Sequence, residues 1–322
     1  MGLDIAFVVA GIALVLFFAG RLVTGTIAFA RGFGVSAFVV SVIFLGFDPE
    51  NLAVGAVGAF ESAGGIALGT IVGSAMVAIA LAFGVTALVV PLRFEQAPRP
   101  ILIVPILSVL LMSLLAWDGQ LSRLDGLILL AGYAAGIVYL VWLSRHGIDI
   151  RGAGLGKKTE KAEGIGRGKA IGLLVLSLVM IVVGSELLVT GATNLIERFG
   201  LSQTLIGMTL VALAISIEEL ARELPAALKG RPEIAFGNVA GSVLTFFLFN
   251  AGIIALIRPL EAGAAAVQFY LPMAAATVVL ISAFLLFRQI PRWAGAILVT
   301  AYIGFAVGGY LLYGASPAGP GG

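Results

Sequence analysis

Cysteine is absent from this chain of 322 residues, histidine occurs once (His146), and only 11% of residues are charged. Without cysteine there is no disulfide framework and no thiol chemistry. One histidine excludes His-ligated zinc and haem sites, which draw on several ligands. Net charge is also scarce: it is +2, too small an excess to form the basic face that nucleic-acid binding needs. No bound cofactor is expected. What the sequence does have is apolar surface. It is 60% hydrophobic, with a mean hydropathy of +1.13, whereas soluble chains carry about 25% charged and roughly 45–50% apolar residues. The expected class is an all-α polytopic membrane protein whose partner is the lipid bilayer.

A spanning helix needs about 20 mostly apolar residues. Ten such runs are expected at 5–29, 35–59, 65–92, 101–117, 124–144, 169–195, 203–228, 234–257, 267–287 and 293–313. The first follows Met1-Gly2-Leu3-Asp4, has no basic leader, and is expected to be retained. With ten runs the connections alternate between two sides. One side collects Arg31, Arg93, Arg99, the basic residues from Arg145 to Lys169, and then Lys229, Arg231, Arg288 and Arg292: fourteen of the nineteen Lys and Arg. The other side receives Arg123, Arg198 and Arg258, and Arg21 and Arg222 lie inside runs. Because cytoplasmic loops are enriched in Lys and Arg, the segment 145–168 is expected in the cytoplasm and both termini outside the cell membrane. That segment reads as a polar linker, and the tail from Ala315 as low-complexity chain.

The linker separates residues 1–144, with five runs, from residues 169–322, with five more. Ile66-Ala-Leu-Gly-Thr-Ile-Val-Gly-Ser74 matches Ile234-Ala-Phe-Gly-Asn-Val-Ala-Gly-Ser242 at an offset of 168. The same offset sets Leu45–Leu52 on Leu213–Leu220. Leu22-Val-Thr-Gly25 and Gly34-Val-Ser36 match Leu188-Val-Thr-Gly191 and Gly200-Leu-Ser202 at 166, so the first half lacks two residues between Ser36 and Gly46. An odd number of spans per repeat gives the halves opposite orientations, and inverted repeats of this kind form transporter sites at their interface.

Charged side chains within a membrane are costly and are kept where they face a cavity, a cation or a partner. Asp48 and Glu50 lie in the second run, Glu186 in the sixth, and Glu218, Glu219, Arg222 and Glu223 in the seventh. Helical spacing lets Arg222 reach Glu218 or Glu219 and puts Ser216 beside Glu219. Pro49 is expected to break its helix and free backbone carbonyls for an ion. Gly69-Thr70 and Gly237-Asn238 open segments rich in small residues, including Ser74 and Ser242, whose oxygens suit hard cations. Glu223 is expected to be structural, near the cytoplasmic third, and Arg21 is expected to pair with Glu186.

At these positions the chain resembles the calcium/cation antiporter superfamily, which includes the sodium/calcium exchangers. That family carries Gly-Thr-Ser-x-Pro-Glu-Leu and Gly-Asn-x-x-Gly-Ser-Asn segments in each of two inverted five-helix repeats. The resemblance implies that Glu219 is the ion-binding Glu of repeat two, with Ser216 and Gly237-Asn238 filling the family's serine and Gly-Asn positions. In repeat one it puts Asn51 at the Glu position, Asp48 at the Ser position and Thr70 at the Asn position, with Glu50 the alternative carboxylate. The chain departs from the pattern at Glu50 and Glu218, which replace proline, and at Ala75 and Val243, which replace asparagine. The implied cation-ligand set is Glu219, Glu50, Asp48, Asn51, Ser216, Asn238, Thr70 and Glu218.

The implied activity is antiport of Ca²⁺ or a similar cation against Na⁺ or H⁺. A monovalent cation/proton exchanger, favoured by Arg222, and a non-transporting protein that keeps the fold are the alternatives. An intramembrane aspartyl protease needs two facing Asp, whereas Asp48 is the only Asp in mid-run. No enzyme is expected, and the oligomeric state is left open.

Overall fold

The computed structural model describes residues 1–32, 48–94, 99–145, 164–230 and 232–313. Most of the expected linker, the tail from Ala315 and the stretch between Ser36 and Gly46 lie outside these residues. The described chain is helical: α1 (Gly2–Gly32), α2 (Pro49–Phe60), α3 (Gly64–Val89), α4 (Arg99–Leu115), α5 (Arg123–Arg145), α6 (Arg167–Phe199), α7 (Gln203–Ser216), α8 (Glu218–Leu228), α9 (Ala235–Ile257), α10 (Ala266–Leu286) and α11 (Arg292–Tyr313). Seven of them are long and apolar enough to cross a membrane; α7 and α8 together make an eighth, bent by 51°. The protein is therefore a multi-pass membrane protein.

Two helices form the centre. The apolar stretch of α3 is 94% buried and that of α9 is 78% buried, against 22–28% for α1, α5, α6 and α11. The outer helices turn side chains such as Val175, Leu178 and Val182 outward, as helices facing hydrocarbon must. The central pair approaches its neighbours through glycine. A methyl group on Gly69 would overlap the backbone of Gly207 in α7, and small residues at such crossings permit the backbone-to-backbone packing that drives helix association in lipid. Both helices also contain wider π-helical turns, at Gly69–Gly73 and Val77–Ala82 in α3 and at Thr245–Asn250 in α9.

The two halves exchange contacts in matched pairs. Strand β1 (Leu92–Arg93) pairs antiparallel with β4 (Gln289–Ile290), and β2 (Gln120–Leu121) with β3 (Leu260–Glu261). Gly84 of α3 packs on Gly295 of α11, and Gly252 of α9 packs on Gly126 of α5. A shift of 168 or 169 residues carries each member of one pair onto the other pair. Helices α1 and α6 run antiparallel, with the amide of Asn194 donating to Asp4 at 3.3 Å and Gly11 packed on Gly184 and Leu188.

That alignment corrects one expectation. With Gly11 opposite Leu188, Arg21 lies about two helical turns from Glu186, too far to pair. Its guanidinium instead sits 3.5 Å from the centre of the Phe17 ring and donates to the Phe17 carbonyl.

Candidate functional site

Two helix breaks build the site, and they fall at the same register. Asp48 is extended (φ −118°, ψ 96°), and α2 starts at Pro49, where a missing N–H costs a helix nothing. Asp48 plus 168 is Ser216, the last residue of α7 before the bend at Ile217. Each break therefore delivers acids in the first turn of the following helix: Glu50 in α2, Glu218 and Glu219 in α8.

The acids converge on one guanidinium. Arg222 Nη1 is ion-paired with Asp48 and Nη2 with Glu218. Nη2 is also 3.8 Å from Glu50 Oε1, and Nη1 is 3.6 Å from Glu219 Oε1. Asp48 and Glu50 come from the first half of the chain and the other acids from the second, so Arg222 bridges the halves. Carboxylate oxygens of Asp48, Glu50 and Glu218 lie within 4.8 Å of one another, close enough to share a cation. Asp48, Glu50, Asn51, Glu219 and Glu223 are all buried, with at most 1% exposure.

Around this cluster the polar side chains fall into two corners. In the second half, Asn238 Nδ2 donates to Glu219 Oε2 at 2.5 Å and Ser242 donates to Glu219 Oε1 at 3.1 Å. In the first half, Asn51 Oδ1 accepts from Ser74 at 2.5 Å and from Ser216 at 3.3 Å. Five of the eight expected ligands, Asp48, Glu50, Glu218, Glu219 and Asn238, thus fall in one ion-paired and hydrogen-bonded set, and Asn51 and Ser216 form a second. The eighth, Thr70, is buried, but its hydroxyl donates to the Ala67 carbonyl of its own helix at 2.8 Å. Unmet capacity remains: among the described residues, Asp48 Oδ2, both oxygens of Glu50, Asn51 Nδ2 and Glu223 Oε2 have no hydrogen-bond partner.

Glu223, expected to be structural and near the cytoplasmic third, stands beside this cluster. It is fully buried, with Oε1 facing Asn238 Nδ2 at 3.4 Å. Its place one turn beyond Glu219 was the available signal, since i,i+4 residues share a helix face. Chemically, the pocket is a set of buried carboxylate, amide and hydroxyl oxygens suited to hard cations.

Comparison with known proteins bears on this arrangement. A family model described as sodium/calcium exchanger protein matches residues 3–142 and again 169–311. A protein of Alkalimonas amylolytica provisionally named antiporter CaxA is 32% identical over 317 residues, covering 95% of this chain and 98% of its own length. The sodium/calcium exchanger MaX1 of Methanosarcina acetivorans is 36% identical over 149 residues, covering 46% of this chain and 42% of its own. Among solved structures, the sodium-calcium exchanger NCX_Mj superposes with a TM-score of 0.60 at 26% identity, covering 94% of this chain and 96% of that one.

Proposed function

The chain belongs to the sodium/calcium exchanger protein family, and from that premise we propose that it is a secondary-active antiporter exchanging Ca²⁺ or a similar cation against Na⁺ or H⁺. It is a membrane transporter and not an enzyme. The observation that carries the reading is the convergence of the buried acids Asp48, Glu50 and Glu219 with the half-buried Glu218 across the two halves. Buried carboxylates in a membrane need compensating positive charge. Arg222 supplies one such charge to the several acids; in this reading the transported ion supplies the rest, and release requires a replacement ion, which is what couples the two fluxes. The ligand set is Glu219, Glu50, Asp48, Asn51, Ser216, Asn238, Thr70 and Glu218, near the membrane midplane.

The architecture we propose is ten spans in two inverted five-span repeats, 1–144 and 169–322, joined by a cytoplasmic linker with both termini outside. Several contacts support it. Beyond the seven long helices, α4, the described half of the second run and the bent α7–α8 pair account for the other three spans. The exchanged strand and glycine pairs, and the helix breaks at Asp48 and Ile217, all follow the 168–169 shift. Among the described residues these cross-loop contacts each join loops assigned to one side: β1 to β4 and Arg292 to the Leu88 carbonyl inside, β2 to β3 and Arg258 to the Phe60 carbonyl outside.

Arg222 favours a second reading. A fixed positive charge beside Glu219 weakens divalent binding, so a monovalent cation/proton exchanger is the alternative within the class. Flux measurements in proteoliposomes under imposed Na⁺ and H⁺ gradients test both. Wild-type protein is expected to carry ⁴⁵Ca²⁺ or ²²Na⁺ against the opposing gradient, and Glu219→Gln to lose at least nine-tenths of that flux. Wild-type fluxes equal to those of empty vesicles would leave a non-transporting membrane protein of this fold.

A further inference from the structure

The register of 168 sets Asn51, Gly55, Thr70 and Ser74 against Glu219, Glu223, Asn238 and Ser242. The contacts obey it. Ser74 bonds to Asn51 as Ser242 bonds to Glu219. A side chain added at Gly55 would run into the Thr70 hydroxyl, and at the matching place Glu223 meets Asn238. Equivalent corners therefore differ in charge: the first-half corner has none, and the second-half corner has two carboxylates.

Those two carboxylates lie one turn apart on α8, and both are fully buried. Asn238 and Ser242 satisfy Glu219, while Glu223 Oε2 has no hydrogen-bond partner among the described residues. Arg222 adjoins both in sequence, yet its guanidinium is committed elsewhere. It pairs with Asp48 and Glu218, approaches Glu219 only to 3.6 Å and, among the described residues, makes no ion pair with Glu223.

We propose that Glu219, Glu223, Asn238 and Ser242 form a distinct subsite for a small monovalent cation of the Na⁺ class, and that Arg222 fills the adjoining Asp48–Glu50–Glu218 subsite as a tethered cation. The proposal rests on the antiport reading for its role and divides that reading's pocket in two. The ligands are hard: two carboxylates, a hydroxyl, and the amide oxygen that a half-turn of Asn238 about its Cβ–Cγ bond presents. Such oxygens suit hard cations. The guanidinium edge beside Glu219 sets the valence: it offsets one of the two carboxylate charges, and the net single negative charge left matches a monovalent ion but falls short of the larger desolvation cost of a divalent one. Selectivity then comes from a side chain that cannot leave.

The test is equilibrium binding of ²²Na⁺ to the purified full-length protein in detergent, with K⁺ and Ca²⁺ as competitors. The same preparations are then reconstituted for flux. The expected result is saturable Na⁺ binding by the wild type, weakened at least tenfold in Glu223→Gln and by a smaller factor in Glu223→Asp. The aspartate variant keeps the charge but withdraws it by one methylene, and it decides the matter where the glutamine variant does not fold. No Na⁺ binding by the wild type, unchanged affinity in the Glu223 variants, or displacement of Na⁺ by Ca²⁺ at lower concentration than by Na⁺ itself would each overturn the subsite. Intact Glu223-dependent binding without any flux would overturn the antiport reading and leave the subsite standing.

Discussion

Asn51 and Glu219 hold the same place in the two halves: each accepts the hydroxyl of a serine 23 residues further along, Ser74 at 2.5 Å and Ser242 at 3.1 Å. One is a neutral amide and the other a carboxylate. Among the described residues Asn51 uses only its oxygen, accepting from Ser74 and Ser216, and its nitrogen has no hydrogen-bond partner. Asn51→Asp therefore keeps both hydrogen bonds and puts a second, free carboxylate oxygen into the pocket. We expect Ca²⁺ affinity to rise about tenfold, which corresponds to about 1.4 kcal/mol, measured by ⁴⁵Ca²⁺ binding in detergent. Unchanged or weaker binding would remove Asn51 from the ligand set.

That pairing shows how far the sequence could be read. The offset of 168 was visible in the match of Ile66–Ser74 to Ile234–Ser242, and it set Asn51 on Glu219 and Asp48 on Ser216. The break at Pro49 was legible because proline announces itself. The matching bend at Ile217 was not, since no proline or glycine marks it. Helical spacing allowed Arg222 to meet Glu218 or Glu219, but its pairing with Asp48, 174 residues away, depends on how α2 and α8 face each other. Local periodicity carries no information on that. For the same reason Glu223 read as structural: its burial is created by Asn238 and the core around α3 and α9.

Removing Arg222 leaves Asp48, Glu50 and Glu218 without their shared counter-charge. Breaking a buried pair by deleting one partner costs about 3–5 kcal/mol. Arg222→Gln is expected to lower the thermal unfolding temperature in EDTA and to recover it in millimolar Ca²⁺, which substitutes for the guanidinium. Equal unfolding temperatures with and without Ca²⁺ would show that the three acids do not form a cation-sized pocket.

The crossing of α3 and α7 at Gly69 and Gly207 leaves no room for a side chain on either residue. The neighbouring atoms are backbone and cannot move aside as a rotamer does. Overpacking costs about 1–3 kcal/mol even where side chains can yield, so Gly69→Val is expected to exceed that range. Gly64→Ala, in open space on the same helix, serves as the neutral control. Thermal unfolding in detergent compares the two, and equal stability would contradict the crossing.

The absence of cysteine makes the proposed topology testable without background. In antiparallel pairs, directly opposed residues have Cα atoms about 4.5–5.5 Å apart, within the span a disulfide bridges. Leu92 opposes Ile290, and Leu121 opposes Leu260. Leu92→Cys with Ile290→Cys, and Leu121→Cys with Leu260→Cys, are each expected to cross-link under mild oxidation, while Leu92→Cys with Leu260→Cys is not. Single cysteines at the exposed positions Arg93 and Glu261 then report the sides. A membrane-impermeant maleimide should label Glu261→Cys on intact cells and Arg93→Cys only on inverted vesicles. Labelling of both from one face would break the alternation on which the ten-span count rests, because those two loops are separated by an odd number of spans. Reversed labelling would keep the count and invert the orientation, setting the fourteen basic residues outside, against the electrostatic rule that assigned them to the cytoplasm.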